Sequence, residues 1–264
     1  MTENQPIGFF DSGWGGLSIM KTARETLPLE NFLYVADCGH SPYGDQSHEF
    51  IVERARKISA FLFEQKKIKA LVVACNTATA EAIDVIRNER PDKIIIGVEP
   101  AVKPAVQLSK NKCIGMISTT RTAHSARYLS LLERFGQNAR ILSVGCPGLM
   151  DCVEAGEFDS PSTIALLHQY LDPLIDAGID TLILGCTHYP FLTDAIRSIV
   201  GSEILIYEPS PAVAKHLKDR LGNQAADARS KGNETFYVSG LNEQRKSVAN
   251  HLWGNATLFE ELSV

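Results

Sequence analysis

The chain has 264 residues, enough for one large domain or two smaller ones with separate cores. Its composition, 44% hydrophobic and 22% charged, is that of an ordinary globular protein. A net charge of −5, with no Lys/Arg block, gives no electrostatic footprint for nucleic acid or an anionic membrane, so neither is expected as a partner.

No apolar run approaches the roughly 18–20 residues of a spanning helix. The polar lead from Met1 to Pro6 lacks the features of a signal peptide, and a cytoplasmic location is expected. In that reducing setting the six cysteines, Cys38, Cys75, Cys113, Cys146, Cys152 and Cys186, default to small buried packers. None forms a CxxC pair or zinc-finger spacing, so no metal is expected and a thiol redox protein is disfavoured.

In chain order, short apolar runs occur at residues 7–10, 32–35, 70–74, 94–98, 113–118, 141–144, 181–184, 204–207 and 235–238. Most are nearly continuous in Val, Ile and Leu, as in strands covered on both faces of a parallel sheet. Helical stretches lie between them. Residues 48–67 put Ile51, Ala55, Ile58 and Leu62 on one stripe. Residues 163–177 carry another, with a kink or an end expected at Pro173. The alternation predicts an α/β fold with mainly parallel sheets flanked by helices.

The two halves resemble one another. Ile7-Gly8-Phe9-Phe10-Asp11-Ser12 matches Ile114-Gly115-Met116-Ile117-Ser118-Thr119, and Ala74-Cys75-Asn76-Thr77 matches Gly185-Cys186-Thr187-His188. A weaker echo links Pro42-Tyr43-Gly44 to Pro147-Gly148. These pairs recur about 105–111 residues apart in the same order, which suggests a duplicated unit. Two similar domains related by pseudo-two-fold symmetry are therefore expected, residues 1–98 plus 208–264 and residues 99–207. Pro100 and Pro104 mark the first boundary. Ligands on open α/β sheets bind beyond the carboxyl ends of strands. Two such units facing one another would bring both cysteine loops to one ligand in the cleft between them.

Cys75 follows an apolar run and precedes Asn76, Thr77 and Thr79, which suit a helix start. A helix N-terminus favours a thiolate there. Cys186 has a similar setting, with a helix expected to begin around Pro190 and His188 as a proton partner. The turn Asp11-Ser12-Gly13-Trp14-Gly15-Gly16 resembles a phosphate loop but lacks GxGxxG spacing, and no GxxxxGK[ST] occurs. Its backbone N–H groups suit a carboxylate instead, with Asp11 aimed at the ligand; a tight turn with a capping Asp is the structural alternative. Ser41-Pro42-Tyr43-Gly44-Asp45 reads as a loop that is either a plain turn or a ligand contact through the Tyr43 hydroxyl and the Gly44 backbone. Thr119, Thr120 and Thr122 either cap a helix, bind a carboxylate, or do both. His40, His48, His124, His168 and His216 form no cluster and read as surface or packing residues.

Taken in order, Asp11-Ser12-Gly13 with Gly15-Gly16, Pro42-Tyr43-Gly44, Cys75-Asn76-Thr77 and Cys186-Thr187-His188 resemble the glutamate racemase family over nearly the whole chain. The Pro42-Tyr43-Gly44 element separates it from the related aspartate racemases and arylmalonate decarboxylases. The resemblance implies an isomerase that interconverts L- and D-glutamate for peptidoglycan, with no cofactor, PLP or metal, and a homodimer. It implies that Cys75 takes the α-proton of D-glutamate and Cys186 that of L-glutamate. Asp11 and His188 would assist the nearer thiol, and Glu154 would orient His188. Ser12, Pro42, Tyr43, Gly44, Asn76, Thr77, Thr119, Thr122 and Thr187 would hold the substrate. Trp14, Ser118 and Glu208-Pro209-Ser210 depart from the usual family residues. The short lead before the first strand is expected to lack the N-terminal extension that some relatives carry. An aspartate racemase and a non-catalytic amino-acid-binding module are the alternatives.

Overall fold

In a computed structural model the chain is described over residues 5–226, 232–254 and 258–264. It divides into two compact units, Met1–Val98 with Ser210–Val264, and Glu99–Pro209. No helix among the described residues is long and apolar enough to cross a membrane.

The first unit holds a six-stranded sheet built from β1 (Ile7–Asp11), β2 (Phe32–Ala36), β3 (Ala70–Val73), β4 (Ile94–Gly97), β9 (Glu234–Val238) and β10 (Phe259–Glu261), in the order β10-β9-β2-β1-β3-β4. Every pairing in it is parallel. Around it lie α1 (Leu17–Thr26), α2 (His48–Ala60), α3 (Asn76–Glu89), α10 (Ser210–Leu221) and α11 (Glu243–Trp253). β1 and β3 are buried along their whole length, as the continuous apolar runs predict. Ile51, Ala55, Ile58 and Leu62 pack with Phe10, Leu71, Val73 and Ile83 in one core. Past α2 the helix widens over Phe61–Gln65, where the Lys66 N–H reaches Phe61 O, and the chain leaves through Lys67 in a left-handed conformation (φ 54°).

The second unit holds a four-stranded sheet of β5 (Cys113–Ser118), β6 (Arg140–Gly145), β7 (Thr181–Leu184) and β8 (Leu205–Tyr207), in the order β6-β5-β7-β8. Its pairings are also all parallel. Its helices are α4 (Val102–Leu108), α5 (Thr120–His124), α6 (Ala126–Phe135), α7 (Leu149–Ala155), α8 (Pro161–Asp176) and α9 (Thr193–Val200).

The strand order β2-β1-β3-β4 of the first unit repeats as β6-β5-β7-β8 in the second. The register repeats too. Ile7 pairs with Ala70 and Phe32, and Ile114 pairs with Thr181 and Ile141. Beyond the strands, the Ala74 N–H donates to Phe10 O and the Gly185 N–H donates to Ile117 O. The ladder therefore makes Cys75 the counterpart of Cys186, Asp11 of Ser118, and Ser12 of Thr119. The Asp37 N–H donates to Asp11 O, and the Cys146 N–H to Ser118 O. That makes Pro147 the counterpart of Cys38, so the echo between Pro42 and Pro147 is out of register by four residues.

Three local features are not those that the sequence alone suggests. α8 runs through Pro173 and ends one turn later at Asp176, so the proline does not end the helix. Pro104 lies in the first turn of α4, where its missing N–H has no intrahelical acceptor to lose, and does not interrupt it. β10 has only Phe259 as an apolar residue and depends on pairing with β9.

Candidate active site

In the first unit the candidate side chains sit where β1 and β3 end. Cys75 is the N-cap of α3, and its Sγ accepts from the Ala78 N–H at 3.4 Å. Ser12 Oγ lies 3.5 Å from Cys75 Sγ and donates to Asp11 Oδ1 at 3.3 Å. The same Asp11 oxygen accepts the Gly13 N–H at 2.8 Å. Asp11, Ser12, Cys75, Asn76 and Thr77 are all buried. Asn76 is 4% exposed, yet neither end of its amide has a hydrogen-bond partner among the described residues. A buried amide left without partners costs on the order of 1–3 kcal/mol, and a bound polar ligand relieves that cost.

Tyr43 belongs to a different arrangement. Ser41–Pro42 is a cis peptide, after which Tyr43–Asp45 forms a short 3-10 turn. The Tyr43 hydroxyl donates to Asp37 Oδ2 at 2.6 Å. Asp37 also accepts from Arg54 (Nε at 2.9 Å, Nη2 at 2.8 Å) and from Ser239 Oγ at 2.7 Å, and lies 2.9 Å from His40 Nδ1. Burial and the neighbouring Asp37 carboxylate hold the Tyr43 phenol well above its usual pKa, so it stays protonated and its hydrogen is committed to Asp37. Pro42 and Gly44 are half-buried.

In the second unit Cys186 follows β7, but no α-helix starts there. A 3-10 turn spans Tyr189–Leu192, with Pro190 inside it, and α9 begins only at Thr193. The setting of Cys186 thus differs from that of Cys75. Instead of an N-cap contact it has an imidazole, with His188 Nδ1 at 3.6 Å from Sγ. His188 Nε2 lies 2.7 Å from Glu154 Oε1 on α7. α7 starts after Gly148, whose left-handed φ of 81° suits glycine. Burial opposes charge on His188, but hydrogen bonds to Cys186 and Glu154 and their negative charge outweigh it, raising the pKa well above the usual histidine value. His188 is 2% exposed, so the imidazole sits away from water. Thr119 caps α5, accepting the Thr122 N–H at 3.2 Å, and its hydroxyl donates to Thr122 Oγ1 at 2.9 Å. Thr122 and Thr187 are buried.

Replacing Glu154 with Gln removes the carboxylate that faces His188 Nε2. The imidazole pKa is expected to fall, as followed by NMR of the labelled histidine. An unchanged titration would contradict the Glu154 contact.

The remaining cysteines read as packers. All six thiols are free. Burial pushes the Cys146 thiol up to about 12, aided by the nearby Cys186, so it is neutral at ordinary pH. Among the described residues no group of three or more His, Cys, Asp or Glu could hold a metal ion. His40, His48, His124 and His168 each meet a local partner, namely Asp37, Glu81, Thr120 O and Asp172.

Sequence reasoning missed the Asp37 network. One signal was present, since Arg54 falls on the buried stripe of α2 beside Ile51, Ala55 and Ile58 and a charge there needs a partner.

The Asp/Glu/Hydantoin racemase family profile matches residues 19–217. A glutamate racemase of Stutzerimonas stutzeri is 43% identical over 97% of this chain and 96% of its own length. A crystal structure of a glutamate racemase isoform from Bacillus anthracis superposes with a TM-score of 0.90 at 31% identity, covering 99% of this chain and 98% of that one. The Escherichia coli glutamate racemase, solved with L-glutamate and the activator UDP-MurNAc-ala, gives a TM-score of 0.88 at 30% identity, covering 98% and 99%. With two parallel sheets, a shared strand order and these relatives over its full length, the chain belongs to the Asp/Glu/Hydantoin racemase family, among the glutamate racemases.

Proposed function

We propose that the chain interconverts L- and D-glutamate by direct proton transfer, with Cys75 and Cys186 as the two bases. The observation that carries this reading is their shared ladder position. Each thiol stands one residue beyond the matching strand-end hydrogen bond of its own unit, and each has its own proton partners.

Inversion at an α-carbon removes a proton from one face and delivers one to the other. Two bases achieve this without turning the substrate over. A thiol is suited to the task because its pKa is readily tuned toward the working pH, where general acid–base catalysis is most effective. Cys75 takes the proton from D-glutamate, with Asp11 and Ser12 beside it. Cys186 takes it from L-glutamate, with His188 and Glu154 beside it. The harder task is stabilising the carbanion next to a carboxylate. Hydrogen bonds aimed at the carboxylate provide this stabilisation in the present reading, in place of a cofactor. Asn76, Thr77, Thr119, Thr122 and Thr187 are the donors, with the backbone of Tyr43 and Gly44. The unpartnered amide of Asn76 supports a polar ligand at this loop.

The same reading places the enzyme in the cytoplasm as a homodimer supplying D-glutamate for peptidoglycan. Six free thiols and an acidic pI of about 5.8 fit that compartment.

Circular dichroism of purified chain with L-glutamate and with L-aspartate tests the assignment. Loss of optical activity is expected for glutamate, with aspartate turned over at least about 10²-fold more slowly, because a shorter side chain displaces the reacting carbon from the donors. Faster turnover of aspartate would make this an aspartate racemase. Tight binding without turnover of either would make it a binding module.

A further inference from the structure

The glycine loop after β1 is anchored from beneath. Tyr34, in the middle of β2, is fully buried, and its hydroxyl donates to Gly13 O at 2.8 Å. It reaches that carbonyl past Gly16, where an added Cβ would lie 2.9 Å from the Tyr34 oxygen and 2.8 Å from Ala74 Cβ. Gly16 therefore keeps the route to Gly13 open. The Trp14 indole, also fully buried, lies nearly parallel to the Tyr34 ring, at 6.2 Å and 13°. One hydrogen bond and one ring contact thus hold the Gly13–Trp14 peptide.

That peptide is joined to the one that orients Asp11. The Gly13 N–H donates to Asp11 Oδ1 at 2.8 Å, and Ser12 Oγ lies between Asp11 Oδ1 and Cys75 Sγ at 3.3 and 3.5 Å. If Gly13 shifts, Asp11 loses its aim and Ser12 its bridge. The second unit has no such anchor on this strand position. Its ladder puts Ser143 where Tyr34 stands, and the Ser143 hydroxyl meets Tyr128 OH at 2.6 Å instead.

We propose that Tyr34 is a positioning residue for the Cys75 half of the reaction, acting through Gly13 to hold Asp11 and Ser12 against Cys75. This rests on the two-thiol reading above and adds an asymmetry to it, since Tyr34 governs one proton transfer and not the other.

The test uses Tyr34→Phe, which keeps the ring and removes the hydroxyl. Kinetic isotope effects on kcat/KM are measured with D-glutamate and with L-glutamate, each deuterated at Cα. Slowing the Cys75 step makes it more rate-limiting in both directions. The isotope effect for deuterated D-glutamate then rises or holds, while that for deuterated L-glutamate falls. The ratio of the two should increase, with kcat down about 10-fold, in line with a displacement well under 1 Å. Tyr128→Phe removes a buried hydroxyl of the other unit and is expected to leave the ratio unchanged. A ratio unmoved or lowered in Tyr34→Phe, while the wild type racemises glutamate normally, overturns the role of Tyr34 alone. A wild type that does not racemise glutamate overturns the racemase reading and this inference with it.

Discussion

Changing either Cys75 or Cys186 to serine is expected to lower steady racemisation of glutamate by a factor on the order of 10²–10⁴. The substitution keeps the shape of a small buried side chain. It replaces a thiol with a hydroxyl that does not ionise in the working range and cannot serve as the base. A base is lost from one face of the α-carbon, and because both directions of the reaction use both bases, neither enantiomer turns over. The two variants should fail alike, although their surroundings differ. Cys75 has the Ala78 N–H and Ser12, whereas Cys186 has His188 and Glu154. Circular dichroism started from each enantiomer gives the readout. Full turnover by either variant contradicts the assignment of two bases.

The second large effect concerns stability. Asp37 is fully buried and Arg54 is 6% exposed, and two hydrogen bonds link them. Replacing Asp37 with Ala leaves the guanidinium buried beside Tyr43 and Ser239 without its carboxylate. Breaking a buried pair on one side costs about 3–5 kcal/mol. A fall in melting temperature on the order of 10 °C is expected by differential scanning calorimetry. A fall of less than about 2 °C would contradict it. The pH dependence follows from the same contacts. Burial favours the neutral acid, but hydrogen bonds from Arg54, Tyr43 and Ser239, with the charge of Arg54, outweigh it and hold the Asp37 carboxyl below its usual range. A carboxyl with a lowered folded-state pKa stabilises the protein above its unfolded value, near 4, and that stability is lost as pH falls through the folded value. Wild-type stability should therefore drop on acidification below about pH 4, and Asp37→Ala should lack that component.

Much of the fold was legible because burial on both faces leaves a simple signature. β1, β3, β5 and β7 are mostly apolar, and each stands where a short apolar run predicts it. The duplication was legible in the Cys75 and Cys186 loops, and the repeated strand order matches it. β10 was not legible. Two of its three residues are Glu, and its partners are Phe236, Tyr237 and Val238 on β9, distant in sequence. The helix does not end at Pro173, since α8 is held by its buried Leu167, Leu171 and Leu174 and tertiary packing outweighs the local cost of proline.

The thiols, Asp11 and the polar residues around them were legible as motifs, because each sits at a strand end followed by turn or cap residues. Their partners were less so. The His188–Glu154 contact joins positions 34 apart on separate elements, and its assignment in the sequence rests on family resemblance. The Tyr43–Asp37 bond and the Tyr34–Gly13 bond had no sequence pattern behind them. Each is made by a tyrosine hydroxyl that reaches a loop residue, and periodicity carries no information on where a hydroxyl points. The symmetry suggested by the two cysteine loops also stops at the backbone. One thiol caps an α-helix, and the other faces an imidazole.

Racemisation run in D₂O, with product and recovered substrate separated at low conversion and analysed by mass spectrometry, tests the central claim most directly. With a separate sulfur serving each face, the hydrogen delivered comes from solvent. The newly formed enantiomer should carry one deuterium at Cα, while recovered substrate remains largely protiated. Product that keeps the original hydrogen, starting from either enantiomer, would contradict the account, because a single group would then be carrying the same proton from one face to the other.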